Sequence, residues 1–345
     1  MFDLNTEKYD FRYETDEKQL ERVGEILRNG GLVAIPTETV YGLAANAFDG
    51  EAVKKIFAAK GRPQDNPLIV HINALSQWNE LVSDIPENAR RLAEAYWPGP
   101  LTVILKKSDA IPDEVSAGLD TVAVRMPSHK TAAEIIGAAG VPLAAPSANI
   151  SGKPSPTTFA HTVNDMDGKI DAIVDGGECD VGVESTVVSL AGDVPVLLRP
   201  GGITPEQLTD VLGELEINDA VYNKLAEGTA AASPGMKYMH YSPDAQVIIL
   251  RGSIEGFCRY INENRCDGDE ALCFDGEEKI INMPCLCYGK REDLLTQAHK
   301  LFDALREFDR RGTKRVFVRC PDSSGVGLAV FNRLIRAAAF NLIDV

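Results

Sequence analysis

The sequence predicts an α/β protein in two parts. Short apolar runs of strand character alternate with amphipathic helical stretches along nearly the whole chain. Its 345 residues exceed an ordinary single domain by about a factor of two. A small-residue stretch at 228–232, followed by the segment 233–243 with a proline near each end, divides a longer first part from a shorter second part. The boundaries expected are residues 1–215 for a first domain, 216–244 for a linker and 245–345 for a smaller, Rossmann-like α/β domain.

Taken in order, residues 1–16 are polar and read as an irregular lead-in. Residues 17–29 form an amphipathic helix, with Leu20, Val23, Ile26 and Leu27 on one face and Asn29-Gly30-Gly31 ending it. An apolar strand at 32–35 stops at Pro36 in the polar cluster Thr37, Glu38 and Thr39, then continues into Val40, Tyr41 and Gly42. A helix carrying Val53, Ile56 and Phe57 on one face follows and runs out at Lys60-Gly61-Arg62-Pro63, because proline forbids its continuation. The polar loop 64–66 leads into a strand at 68–72 with His71 near its end. Helices at 78–81 and 87–96 precede Trp97-Pro98-Gly99-Pro100, a turn held by two prolines, and a strand at 101–105. A strand at 121–127 ends in Arg125 and then a proline, and residues 131–139 are helical. A strand at 141–145 ends in Pro146-Ser147-Ala148-Asn149, with Ser151, Gly152 and Ser155 beyond. Strands at 170–175, 185–190 and 196–199 follow, the last running into Pro200-Gly201-Gly202, and a helix at 204–212 carries Pro205 in its first turn.

The segment 233–243 holds too many aromatic and apolar residues for a free linker, so Tyr238, His240 and Tyr241 should bury, either between the domains or over a site as a lid. Beyond it come strands at 246–250, 271–275 and 315–320 and helices at 253–264, 291–311 and 326–340, an alternation that predicts a parallel sheet. The run from Ser324 to Val330 has two glycines between a strand and a helix but lacks the third glycine of a dinucleotide fingerprint. Tight strand-to-helix packing is its expected role. There is no Walker A sequence, no His-Glu-x-x-His and no internal repeat.

Acidic residues outnumber basic ones 51 to 35, a formal net charge of −16, which disfavours nonspecific nucleic-acid binding while leaving room for a local basic pocket. Seven cysteines contain no Cys-x-x-Cys pair and read as buried free thiols. Together with a polar N-terminal stretch and no apolar run of bilayer length, they point to the cytoplasm and to no membrane.

The chemistry concentrates where strands end. Thr39, Arg125, Ser147, Asn149, Ser185 and Arg199 recur at the ends of short apolar strands, and ligands of α/β sheets gather in crevices at such ends. An arginine closing an apolar strand is costly to bury without an anion beside it. Arg125 and Arg199 sit so, and Lys60 with Arg62 makes a third basic point. A shared anion-binding mouth is expected, against the alternative of unrelated solvated cations at helix and strand ends. His71 taken alone reads as a structural histidine.

Eight motifs in order then resemble a known family: Pro36 to Gly42, Lys60-Gly61-Arg62, Asn66 to His71, Trp97 to Thr102, Val122 to Pro127, Pro146 to Asn149, Ser185 to Val187 and Arg199 to Gly202. This set resembles the YrdC-type threonylcarbamoyl-AMP synthases, in the longer branch that carries a linker and a C-terminal domain. The resemblance implies a twisted mixed sheet with flanking helices around a basic cavity. It implies an enzyme that joins L-threonine, bicarbonate or carbon dioxide, and ATP into threonylcarbamoyl-AMP, releasing pyrophosphate, with magnesium carried in by ATP. A tRNA threonylcarbamoyl transferase would take the product, and no stable nucleic-acid binding is implied. Carried onto this sequence, Thr39, His71, Arg125, Ala145 and Ser185 would hold threonine. Lys60, Arg62, Asn66, Thr121, Ser147, Asn149, Ser155, Arg199 and Tyr238 would hold ATP, with Lys60, Arg62 and Arg199 supplying charge to the reacting phosphates.

Overall fold

The computed structural model describes residues 4–224 and 240–345. The first part contains β1 (Glu7–Asp10), α1 (Glu17–Arg28), β2 (Val33–Ile35), β3 (Gly42–Asn46), α2 (Gly50–Lys60), β4 (Ile69–His71), α3 (Leu75–Leu81) and α4 (Glu87–Tyr96). It continues with β5 (Leu101–Lys106), α5 (Asp113–Ser116), β6 (Thr121–Arg125), α6 (Lys130–Ala139), β7 (Leu143–Ala144), α7 (Phe159–Met166) and β8 (Ala172–Asp175). β9 (Thr186–Ser189), β10 (Val196–Arg199), α8 (Pro205–Leu212) and β11 (Glu216–Ile217) close it. The second part holds β12 (Gln246–Arg251), α9 (Ile254–Asn264), β13 (Asp269–Cys273), β14 (Cys285–Cys287), α10 (Leu294–Arg311), β15 (Arg315–Arg319), α11 (Gly327–Ala337) and β16 (Leu342–Asp344).

The first sheet has eleven strands in the order β1-β8-β2-β3-β7-β4-β6-β5-β9-β10-β11 and mixes parallel with antiparallel pairs. Both of its faces are covered. Leu32, Ala34, Leu43 and Ala45 join one core with Val53, Ile56 and Phe57 of α2, while Val33, Ile35 and Ala44 join another with Val23 of α1 and Ile135 of α6. This is the period of two expected where successive side chains leave a strand on opposite faces. The second sheet, β14-β13-β15-β12-β16, is parallel at every pairing, as the strand–helix alternation predicted.

Helix ends follow local chemistry. Asp16, Asp49, Thr204, Ser253 and Asp293 accept backbone N–H groups at their helix starts, and Thr204 with Gln207 forms a reciprocal capping box. Gly61 ends α2 at φ +61°, a left-handed conformation that costs glycine little. Of the two glycines near α11, Gly327 is closely packed, since a Cβ there would lie 2.3 Å from the Asp322 carbonyl oxygen, whereas at Gly325, in a left-handed conformation at φ +51°, a Cβ would meet nothing within 4 Å.

Several elements were not foreseen. Residues 7–10 are not an irregular lead-in but an edge strand on β8, polar because its outer side faces water. β3 escaped notice because Gly42, Ala44 and Ala45 lack the branched side chains that mark strands. α7 and β16 were also missed. The cysteines are all seven free, as expected, but only Cys179 and Cys273 are buried, and Cys266 is exposed.

The two parts meet over an apolar seam in which Val40 and Val183 pack with Tyr241, Phe302 and neighbouring C-terminal residues. At Gly182 a Cβ would stand 2.4 Å from the His299 Cα of α10, so the loop before β9 lies directly on that helix. Among the described residues no helix is long and apolar enough to cross a membrane.

Candidate active site

Register gathers the site. His71 of β4 pairs with Leu143 of β7 on one side and Arg125 of β6 on the other. Arg125 pairs with Thr102 of β5, Thr102 with Val187 of β9, and Val187 with Arg199 of β10. One rung across six strands therefore carries His71, Arg125, Thr102 and Arg199 to one level. A cavity of about 660 Å³, counting its open mouth, lies against this rung. Thr39, Arg62, His71, Arg125, Ala145, Ser147, Asn149, Ser185 and Arg199 line it, together with Thr37, Lys153, Glu184, His240 and Tyr241.

On one side, the Arg125 guanidinium donates to the Thr39 hydroxyl at 2.8 Å and to the Gly99 carbonyl at 3.4 Å, and lies 2.7 Å from a Glu38 carboxylate oxygen. Thr37 and Thr39 share a 2.9 Å hydroxyl contact, and Thr37 also donates to the Val40 carbonyl, fixing the turn that presents Thr39. Burial pushes the Glu38 carboxyl upward, but Arg125 outweighs it and holds Glu38 below the usual carboxylate range. His71 is enclosed. Burial first, and then Arg125, push its pKa down to about 3, so the ring is neutral at physiological pH.

On the other side, Arg199 donates from Nε to the Ser185 carbonyl at 3.0 Å and from Nη2 to the Ser185 hydroxyl at 3.1 Å. The Ser185 hydroxyl also meets Thr102 at 2.7 Å. Burial lowers the Arg199 pKa to about 10, which leaves it charged at neutral pH. Glu184 accepts from the Ser155 hydroxyl and from Arg333 Nε at 2.9 Å. Burial raises the Glu184 carboxyl, but Arg333 and Arg199 outweigh that and keep it ionised.

Four of the expected residues do not line this cavity. Lys60 is buried behind the loop, donating to the Ser147 carbonyl and, at 2.6 Å, to the Asn149 carbonyl. Its ammonium thus pins the Pro146-Ser147-Ala148-Asn149 turn, and burial beside Arg62 pulls its pKa well below the usual lysine value. Ser155 stands behind Glu184, reaching the wall through that carboxylate. Asn66 lies three residues before β4, and Thr121 opens the neighbouring strand β6. Asn66 is fully buried, and neither its amide nitrogen nor its oxygen has a partner among the described residues. Such a group calls for a ligand or water. Tyr238 lies outside the described residues.

Glu38 and Glu184 were missed by the sequence reading. The available signal was electrostatic: two arginines buried at strand ends require counter-charges, and Glu38 sits inside a motif already singled out while Glu184 immediately precedes another. Arg333 had no such signal.

Known proteins resemble this chain over nearly its whole length. A family described as "Telomere recombination" matches residues 25–201, and one described as "Threonylcarbamoyl-AMP synthase, C-terminal domain" matches residues 203–339. The chain belongs to the threonylcarbamoyl-AMP synthase family. A threonylcarbamoyl-AMP synthase from Pyrococcus abyssi is 46% identical over 340 residues, covering 97% of this chain and 98% of its own length. One from Bacillus subtilis is 47% identical over 334 residues, covering 95% of each chain. The crystal structure of P. abyssi Sua5 complexed with L-threonine matches with a TM-score of 0.91 at 44% identity, covering 99% of this chain and 100% of the other. The synthase family thus accounts for both sheets, as the order of motifs implied.

Proposed function

We infer that the chain synthesises L-threonylcarbamoyl-AMP from L-threonine, bicarbonate or carbon dioxide, and ATP, releasing pyrophosphate. The product serves the threonylcarbamoyl modification of adenosine next to the anticodon of tRNA, with a tRNA threonylcarbamoyl transferase as its taker. The observation that carries this reading is the cavity wall: in a chain of this family, two buried strand-end arginines, a neutral histidine and four serine or threonine hydroxyls line one cavity.

Threonine occupies the Arg125 side in this reading. The Arg125 guanidinium takes the carboxylate, Thr39 and the main chain at Ala145 position the zwitterion, and neutral His71 and Ser185 meet its polar groups. A site that hydrogen-bonds the substrate hydroxyl rejects valine strongly, by about 10⁴-fold where its own polar groups are left unpaired. Rejection of serine rests on one methyl and is weaker, roughly 10–200-fold.

The threonine amine and bicarbonate form a carbamate with loss of water. A carbamate oxygen then attacks the α-phosphorus, and the bond to pyrophosphate breaks. No covalent bond to the protein is required, so the protein's contribution is alignment and charge. Arg62 and Arg199 face the phosphates, Ser147 and Asn149 orient them, and Ser155, Asn66, Thr121 and Tyr238 complete the nucleotide side. Lys60 acts by holding the Ser147 and Asn149 turn. Magnesium enters with ATP as part of the substrate, and among the described residues no group of three or more His, Cys, Asp or Glu forms a cage for it. The enclosed wall shields the carbamate from water, and the cytoplasm is the compartment where tRNA and ATP meet.

The test is pyrophosphate release from ATP and magnesium, with and without L-threonine and bicarbonate. Release should need both and should fail with valine. Release that ignores threonine would reassign the acceptor.

A further inference from the structure

Arg333 belongs to α11 of the second sheet's domain, yet it is fully buried against the cavity wall of the first. Its guanidinium makes a fork. Nε donates to the Glu184 carboxylate at 2.9 Å, Nη2 to the Glu184 carbonyl at 3.2 Å, and Nη1 to the Pro200 carbonyl at 2.5 Å. Glu184 precedes Ser185 and Pro200 follows Arg199, so one side chain ties together the backbone on either side of the Ser185–Arg199 contact. The other Glu184 oxygen accepts from Ser155. The ring of Tyr241 lies 5.8 Å from the guanidinium carbon, closing the fork on its open face.

We propose that Arg333 is a positioning residue for the nucleotide side of the site, acting through Glu184 on Ser155 and through Pro200 on Arg199. On this view the C-terminal domain completes the cavity wall and is required for turnover. The proposal rests on the synthase reading above.

The physical case is one of competition. Glu184 is ion-paired with Arg333 at 2.9 Å and also feels the charge of Arg199. With Arg333 in place, the carboxylate is neutralised from outside the cavity and keeps its second oxygen on Ser155. Without it, a buried carboxylate would turn to Arg199, whose charge acts on it most strongly after that of Arg333, and draw that charge from the phosphates. Ser185 is less exposed to this change, because Thr102 holds its hydroxyl independently at 2.7 Å. The effect should therefore fall on ATP more than on threonine. A lysine could supply the charge but, as a single point donor, could not span Glu184 and Pro200 together.

The experiment is steady-state pyrophosphate release by the full-length chain and its Arg333→Met, Arg333→Lys, Glu184→Ala and Arg333→Met/Glu184→Ala variants. Calorimetric binding of L-threonine without ATP accompanies it. Arg333→Met should lower kcat/KM for ATP at least tenfold, and Arg333→Lys at least threefold with a near-normal melting temperature. Threonine binding should stay within about threefold of the parent. The double variant should be no worse than the poorer single variant, since Arg333→Met already disables the carboxylate that Glu184→Ala removes. If Arg333→Met does not fold, Arg333→Lys and Arg333→Met/Glu184→Ala, which leaves no unpaired carboxylate, carry the test. A folded Arg333 variant with ATP constants within twofold of the parent overturns the proposal. So do equal losses for ATP and threonine, or losses that multiply in the double variant. A parent chain without threonine-dependent release would instead overturn the synthase reading, so the two failures are distinct.

Discussion

Replacing Lys60 with methionine separates a positioning lysine from one that touches substrate. Methionine keeps most of the aliphatic stem and removes the ammonium. The structure then leaves the Ser147 and Asn149 carbonyls without the donor they share, along with a longer 3.3 Å contact to the Asn149 side-chain oxygen. Two buried acceptors losing a charged donor cost about 1–3 kcal/mol each. Part of that is offset because a buried ammonium no longer has to be desolvated. The net loss should be about 2–4 kcal/mol. For a domain of this size each kcal/mol shifts the melting temperature by about 2–4 °C, so a fall of roughly 5–15 °C is expected in the first unfolding transition. Because the turn presents Ser147 and Asn149 to the cavity, kcat/KM for ATP should fall by about tenfold even well below the melting point. Calorimetry and threonine-dependent pyrophosphate release on the same preparation measure both quantities. Abolished turnover with a melting temperature within 1 °C of the parent would refute the reasoning and return Lys60 to the reacting phosphates.

Three further outcomes follow from the same geometry. Asn66→Leu should raise stability by about 1–3 kcal/mol in urea titrations, because two unpartnered polar atoms leave the interior, while ATP binding weakens at least tenfold; weaker ATP binding with no gain in stability would contradict the assignment. Arg125→Ala should leave Glu38 buried without its cation and should raise KM for threonine far more than KM for ATP, and equal effects on the two would undo the division of the site. The pH dependence follows from His71 and His240, both held by burial at about pH 3. Their folded pKa values lie below the unfolded value of about 6.5, so the unfolded chain binds the extra protons and stability falls as pH drops below 6.5. Each should cost about 2 kcal/mol by pH 5, and His71→Asn should flatten the curve of urea midpoint against pH by its own share. Parallel curves for parent and variant would rule this out.

Most of the first sheet was legible because its strands are short apolar runs stopped by proline, glycine or a charged residue. α4 and β10 fall where periodicity placed them. β3 was not legible, since its glycine and alanines carry no strand signal and gain their place only between β2 and β7. The site divides the same way. Arg125 and Arg199 announce themselves as charges closing apolar strands. Lys60 also looked like a phosphate ligand, because a lysine at a helix end beside an arginine has no local mark to say which way it turns. Only the packed turn behind it shows the ammonium consumed by two carbonyls.

The sequence by itself determined the alternation of strands and helices, their stops, and the set of residue types able to hold an amino acid and a nucleotide. These are local properties, written in periodicity, turn residues and side-chain chemistry. Tertiary structure alone decided the rung that aligns His71, Arg125, Thr102 and Arg199, and the reach of Arg333 across 149 residues to Glu184. Strand order and domain docking depend on which surfaces bury one another, and that is a property of the whole chain that no window along it contains.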